Sequence, residues 1–263
     1  MRKYLDLAII GIKEHTAYLN SVWANFLAKI LYLYMQFALW NALFSSNAGK
    51  NIPLSRNETI RYIIVATVIS TFMECHVIAW INDQIQSGDV ANQMIRPIGY
   101  RLMIFAKHVG TSIARFMIYT IPLGIVVVVF YHEELFCKGQ LVYGLISIIL
   151  AYVIQFLYSL IIGMMAFWLI VTWPLNMLLA AIYKLLSGSW IPNAMFPELL
   201  SRINMFLPFR AIYAIPVTIL TTPMATESIL ENLCVQLGWM IGLFLMSEAA
   251  WLVGKKKLVV QGG

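Results

Sequence analysis

From Leu141 to Tyr183 the chain contains no Asp, Glu, Lys or Arg. Such a run is about twice the ~20 residues that one helical bilayer crossing needs, and no soluble core hides it. Two crossings with a tight turn near Gly163 account for it. The surrounding sequence agrees: 61% of the residues are hydrophobic and only 11% charged, against the ~25% charged of soluble domains. Mean hydropathy is +0.79. With 263 residues mostly consumed by spans, little is left for an extramembrane domain, so an energy source is expected on another chain.

Apolar windows predict six crossings, at Val22–Phe44, Ile60–Ile81, His108–Phe130, Leu141–Gly163, Met165–Leu186 and Leu230–Val253. The resulting fold class is an all-α integral membrane protein, one transmembrane domain over residues 1–263. Residues 1–21 alternate apolar Tyr4, Leu7, Ala8, Gly11 and Ile12 with charged Arg2, Lys3, Asp6, Lys13 and Glu14. That spacing fits an interfacial helix lying on the membrane. No small-residue cleavage site follows it, so no removable signal peptide is expected.

Orientation follows from the loop cations. An internal N-terminus puts nine on the cytoplasmic side (Arg2, Lys3, Lys13, Arg96, Arg101, Lys107, Lys255, Lys256, Lys257) and five outside (Lys50, Arg56, Lys138, Arg202, Arg210). Both termini are then cytoplasmic. Trp40, Trp173 and Trp190 toward the outside, with Trp23, Trp80 and Trp251 toward the inside, form an expected aromatic belt. The net charge of +6 reflects this topology; the scattered cations make no nucleic-acid surface.

Residues 83–100 lie in the one substantial cytoplasmic loop. Gly88 permits a break, Asp89 offers an N-cap oxygen, and Pro97 turns Arg96 away from helix, bounding a short helix at about Asp89–Ile95. It reads either as a coupling element or as a solvated connector. Residues 187–228 form an outer segment too apolar for a solvated loop. Pro192, Pro197, Pro208, Pro216 and Pro223 cut it into pieces too short to cross, as expected of a re-entrant hairpin.

Within the spans, Thr67, Ser70, Thr71 and Glu74 recur at the spacing of one helix face. Lys29 and Glu74 fall at similar depths from the inner side, and Arg115 and Glu248 also lie near it. Intramembrane charges are expensive and so are candidate functional groups. The expected pairs are Lys29–Glu74 and Arg115–Glu248. Either they are structural pairs and snorkelling groups, or the polar face of span two lines a translocation path. The aromatics Tyr32, Tyr158 and their neighbours read as packing.

Cys75, Cys137 and Cys234 are too scattered for a disulfide framework or zinc site, and the four dispersed histidines give no metal site. No G-x-x-x-x-G-K-[ST], G-x-S-x-G or H-E-x-x-H occurs, so nucleotide hydrolysis and familiar hydrolase chemistry have no residues here.

Two stretches carry a family likeness. Ile85-Gln86-Ser87-Gly88-Asp89-Val90 with Met94-Ile95-Arg96-Pro97 is similar to an "I-x-S-G-D … L-x-R-P" segment. Leu186-Ser187-Gly188, Ile191-Pro192, Phe196-Pro197 and Leu207-Pro208-Phe209 are similar to an "L-S-G-x-x-I-P … P … L-P-F" run. With the span order, they make the chain resemble the permease subunits of ABC-2 type exporters (type V exporter-like), in a bacterial subgroup once classed as of unknown function. The resemblance implies a non-enzymatic subunit of the cell inner membrane that works as a dimer, with itself or a related chain. A separate cytoplasmic ATPase would carry ATP and magnesium, and this chain would hold no cofactor. It further implies coupling through Ser87, Gly88, Asp89, Asn92, Arg96 and Pro97, and an outer gate at Gly188, Pro192, Pro197, Pro208 and Phe209. The cargo would be an amphipathic drug, peptide, lipid or glycan. The rivals are an ATPase-independent channel or ion-coupled transporter, and a non-transporting partner subunit.

Overall fold

The computed structural model describes residues 2–17, 19–46, 52–94, 99–131, 134–169 and 173–257. Among them every regular element is helical. Among the described residues, five helical stretches are long and apolar enough to cross a membrane: Asn20–Ser45, Arg56–Gln86, Tyr100–Phe130, Lys138–Phe167 and Thr226–Lys257. The chain is an all-α, multi-pass membrane protein.

Helix α1 (Arg2–Thr16) precedes α2 (Leu19–Ser45). α2 carries its large apolar side chains outward, with Trp23, Leu27, Leu31, Tyr34 and Met35 exposed, as a lipid-facing helix should. α3 (Arg56–Met73) starts on a capping box: the Glu58 N–H bonds the Ser55 hydroxyl, and the Ser55 N–H bonds the Glu58 carboxylate. Two of the orphan donors at a helix start are thereby satisfied. The second crossing then breaks at Glu74–His76 before resuming as α4 (Val77–Gln86). Beyond the turn at Ser87-Gly88 stands a short helix, α5 (Asp89–Met94).

The third crossing comprises α6 (Tyr100–Arg115), one π turn over Phe116–Thr120, and α7 (Ile121–Phe130). Pro122 has no N–H to give the carbonyl four residues back, which explains the local widening. α8 (Leu141–Met164) is the central post. α4, α11 (Ala214–Thr221) and α12 (Thr226–Gly254) all pack on it, burying Ala151, Ile154 and Leu160 almost completely.

The expected fifth crossing is represented by a 3₁₀ turn at Met165–Phe167 and by α9 (Trp173–Leu186). At 14 residues, α9 spans only about 21 Å at 1.5 Å per residue, less than the ~30 Å hydrocarbon core. Residues 170–172 lie outside the described residues. Pro174, in the first turn of α9, occupies a position where its missing donor costs nothing. The outer segment folds into a 3₁₀ turn at Asn193–Met195, α10 (Glu198–Met205), a second 3₁₀ turn at Phe209–Ala211, and α11. Ala211–Val217 are all buried, so this stretch is interior packing, which accounts for its apolar composition. The tryptophans depart from a simple belt. Trp40 is buried in the core, Trp80 lies beneath Lys107, Trp251 stacks on Tyr100, and the Trp173 side chain is outside the described residues.

Candidate functional site

The break in the second crossing and the π turn in the third face one another. Glu74 has left the helix, at φ −57°, ψ 123°. The four-residue face expected from spacing is therefore not one helical stripe: Thr67, Ser70 and Thr71 belong to α3, whereas Glu74 lies past its end. Nothing in Glu74-Cys75-His76 resembles a sequence helix breaker. Tertiary contacts hold the break instead. The Arg115 guanidinium donates to the Glu74 carbonyl and contacts His76 Nδ1 at 2.7 Å. The hydroxyls of Thr71 and Thr120 meet across the gap at 2.6 Å.

Lys29 reaches the Glu74 carboxylate at 3.0 Å, so α2 supplies the counter-charge that the depth argument expects. The other expected pair does not form. Glu248 is ion-paired to Arg101, with one contact at 2.7 Å. The reason is that α6 begins at Tyr100, about two turns before the expected start of the crossing, and this raises Arg101 to the level of Glu248. Beside it Tyr100 stacks on Trp251 at 5.1 Å and donates to Gln84 at 2.7 Å, tying α4, α6 and α12 together. Because the Arg101 and Glu248 side chains remain 25% and 35% exposed, a double-mutant cycle of Arg101→Gln with Glu248→Gln in thermal denaturation should give a coupling of about 1 kcal/mol or less. A value near the ~3–5 kcal/mol of broken buried pairs would contradict that placement.

Around the break lies a cavity of about 840 Å³. All four residues of the expected polar face line it, together with Lys29 and Arg115. So do residues that spacing alone does not single out: His15 from α1, His76, Gln155 and Tyr158 from α8, Tyr183 and Lys184 from α9, and Tyr213 from the outer segment. Tyr32 and Tyr158 are wall residues as well as packing. Tyr158 and Tyr183 are packed by Phe209, at 5.5 and 6.4 Å between ring centroids. Phe209, expected at an outer gate, thus sits directly behind the cavity's aromatic wall. A smaller adjoining cavity of about 360 Å³ shares Glu14, His15, His76 and Arg115 and adds Trp80, Lys107 and His108. Burial, reinforced by nearby Arg115, holds the His15 imidazole below its ordinary value, so α1 contributes a neutral ring at neutral pH.

α1 reaches the cavity by lying along α6. Gly11 and Gly110 bring the two backbones close, Glu14 pairs with Lys107 at 2.7 Å, and His15 meets Tyr119 edge-on at 5.6 Å.

Of the residues assigned to coupling, Ser87, Gly88, Asp89 and Asn92 are exposed at one end of the bundle. Arg96 and Pro97 lie outside the described residues. Gly88 is left-handed at φ +78°. Asp89 is the first helical residue of α5 and not its cap; the Ser87 hydroxyl accepts from the Asp89 N–H at 3.4 Å. Val90 anchors α5 in the core at 0% exposure. In the outer segment, Gly188 is also left-handed, at φ +84°, and its carbonyl accepts from Tyr62 at 2.9 Å. Pro192 and Pro197 immediately precede the Asn193–Met195 turn and α10, and Pro208 precedes the Phe209–Ala211 turn.

Fold and site together define a helical membrane protein built around a charged, tyrosine-walled cavity at a broken crossing. Residues 17–262 match the family described as ABC-2 family transporter protein, and the chain belongs to that family. It is therefore a permease of an ABC transporter. No curated protein matches it.

Proposed function

We propose that the chain is the membrane half of an ATP-driven exporter: two permeases, identical or related, dock two copies of a separate ATPase that binds ATP and magnesium. One observation carries this reading. α4, ten residues long and about 15 Å at 1.5 Å per residue, connects the exposed Ser87-Gly88 turn directly to the break at Glu74–His76. Force applied to α5 by a closing ATPase travels along this rigid lever to the wall of the cavity. The Arg101–Glu248 and Tyr100–Trp251 contacts carry the same motion to α12. Gln236 on α12 donates to the carbonyl of Ala211 at 2.8 Å, so that helix also touches the outer segment. In this reading both termini face the cytoplasm of the inner membrane, α1 lies at the inner interface, and the segment over 187–228 lids the exit.

The test is co-purification. The tagged, detergent-solubilised chain should bring down an ATPase subunit, and a chain that purifies alone would favour a channel. Gly88→Ala refines the test. A Cβ at Gly88 meets nothing within 4 Å, so the cost is backbone strain alone, about 1–2 kcal/mol for the left-handed region. The variant complex should assemble, with coupled ATPase activity several-fold lower. Unchanged coupling would remove the turn from the mechanism.

A further inference from the structure

The large cavity has a composition out of keeping with the rest of the chain. Val22, Ala28, Ile78 and Ala180 are its aliphatic members; Cys75, Trp190, His15 and His76 join them, and the remaining wall is charged groups, hydroxyls, amides and tyrosines. Ligand sites for lipophilic molecules carry only a few polar groups; this one, though its surface is still largely apolar, carries many, among them the charged Lys29, Glu74, Arg115 and Lys184. Its charges are also unbalanced. Lys29, Arg115 and Lys184 face two carboxylates, Glu74 and Glu14. Glu14 is paired to Lys107, and Glu74 to Lys29.

Arg115 is only 5% exposed and contacts neutral acceptors, the Glu74 carbonyl and His76. Lys184 lies 5.5 Å from the Trp190 ring. Neither cation has a carboxylate partner within ion-pair distance among the described residues. Cations are not left uncompensated at membrane depth without a reason, and a charged cleft with low-dielectric walls concentrates ions of the opposite sign.

We infer that this cavity receives the anionic, oxygen-bearing head, a phosphate or carboxylate, of an amphipathic cargo. The head sits near Arg115 and Lys184, and its polar body meets Thr67, Gln155 and the tyrosines. Exposed α2 alongside leaves the apolar part of the cargo in lipid. This rests on the reading of the chain as a permease and adds the chemistry of what it carries. Of the amphipathic drugs, peptides, lipids and glycans that the family resemblance leaves open, it sets aside those without an anionic head.

The test needs only the full-length chain in phosphatidylcholine nanodiscs, so its outcome is separate from that of the ATPase co-purification. With the native cysteines changed to serine, a single cysteine is placed in the cavity wall (Ser70→Cys). A second protein carries it on the exposed outer loop (Ala225→Cys) as reference. Anionic sulfonatoethyl and cationic trimethylammonioethyl methanethiosulfonates are compared, each rate normalised to the reference. The anionic reagent should react roughly tenfold or more faster in the cavity, and Lys184→Gln, at the exposed edge of α9, should cut that preference several-fold. Added phosphatidylglycerol slowing the reaction identifies a membrane lipid as the source of the head; soluble glycerol phosphate slowing it identifies a soluble cargo. Equal or faster reaction of the cationic reagent, no reaction at Ser70→Cys, or no slowing by either anion overturns the inference.

Discussion

Gly188→Ala should destabilise the protein by about 2–5 kcal/mol and loosen the segment over 187–228, the strain of a left-handed residue adding to the loss of a buried hydrogen bond. At φ +84° any side chain is strained. A Cβ here would also lie 2.7 Å from the Tyr62 hydroxyl, 2.9 Å from Ala214 Cβ and 2.9 Å from Asn193 Oδ1. Two of those neighbours, Tyr62 and Ala214, are held by hydrogen bonds, and so is the adjoining Leu186 carbonyl. Tyr62 donates to the Gly188 carbonyl at 2.9 Å, Ala214 N–H to the Ser187 carbonyl at 2.9 Å, and Asn204 to the Leu186 carbonyl at 2.9 Å. The junction joins the end of α9, the Asn193–Met195 turn, α10 and α11 to the second crossing, so relief in one direction breaks a contact in another. Thermal denaturation of the solubilised chain measures the effect, and Gly88→Ala is the matched control, having the same backbone sign and open space. If the two variants shift the midpoint equally, the contacts at Gly188 carry nothing beyond strain.

Hydropathy exposes the long spans because lipid leaves few alternatives: every apolar run must be a helix that satisfies its own backbone. Proline spacing likewise reveals that the segment over 187–228 is a series of short pieces, and the turn before α5 announces itself through Gly88. The site is less legible, for identifiable reasons. Counting helical positions through Glu74 assumes that the helix continues, and neither glycine nor proline warns that it stops. The stop is held by Arg115, 41 positions away in sequence. The depth estimate pairs Lys29 with Glu74 correctly because α2 and α3 are adjacent and antiparallel. It fails for Glu248 because helix α6 extends down to Tyr100 and brings Arg101 into place. Tyr158, Tyr183 and Tyr213 sit on three different elements, and no period in the sequence links them. A tyrosine in a membrane helix carries the same apolar signal whether it packs or lines a wall. α9 is the opposite case: its composition resembles a crossing, yet the described helix is too short to reach across by itself.

The second large effect is expected at Gly110. Gly110→Ala should release α1 from the bundle, at a cost of about 2–3 kcal/mol typical of overpacking a tight contact. The added Cβ would fall 1.9 Å from the Ala8 carbonyl oxygen, 2.6 Å from its carbon and 2.7 Å from its Cα. All three are backbone atoms, so no rotamer change relieves the clash and the helices must separate. Separation would loosen the Thr111 hydroxyl contact to the Gly11 carbonyl, the Glu14–Lys107 pair and the His15–Tyr119 contact, and with them the side of the cavity that α1 closes. Trypsin cleavage after Lys13, which is already exposed but protected by helix, should accelerate severalfold. Gly124→Ala in the same crossing meets nothing within 4 Å, and should leave cleavage unchanged while gaining up to ~1 kcal/mol of helix propensity. Since His15 lines both cavities next to Arg115, release of α1 should also open Ser70→Cys to both labelling reagents and flatten their difference. Cleavage that stays at the parental rate in Gly110→Ala would mean that the Gly11–Gly110 crossing does not hold α1 in place.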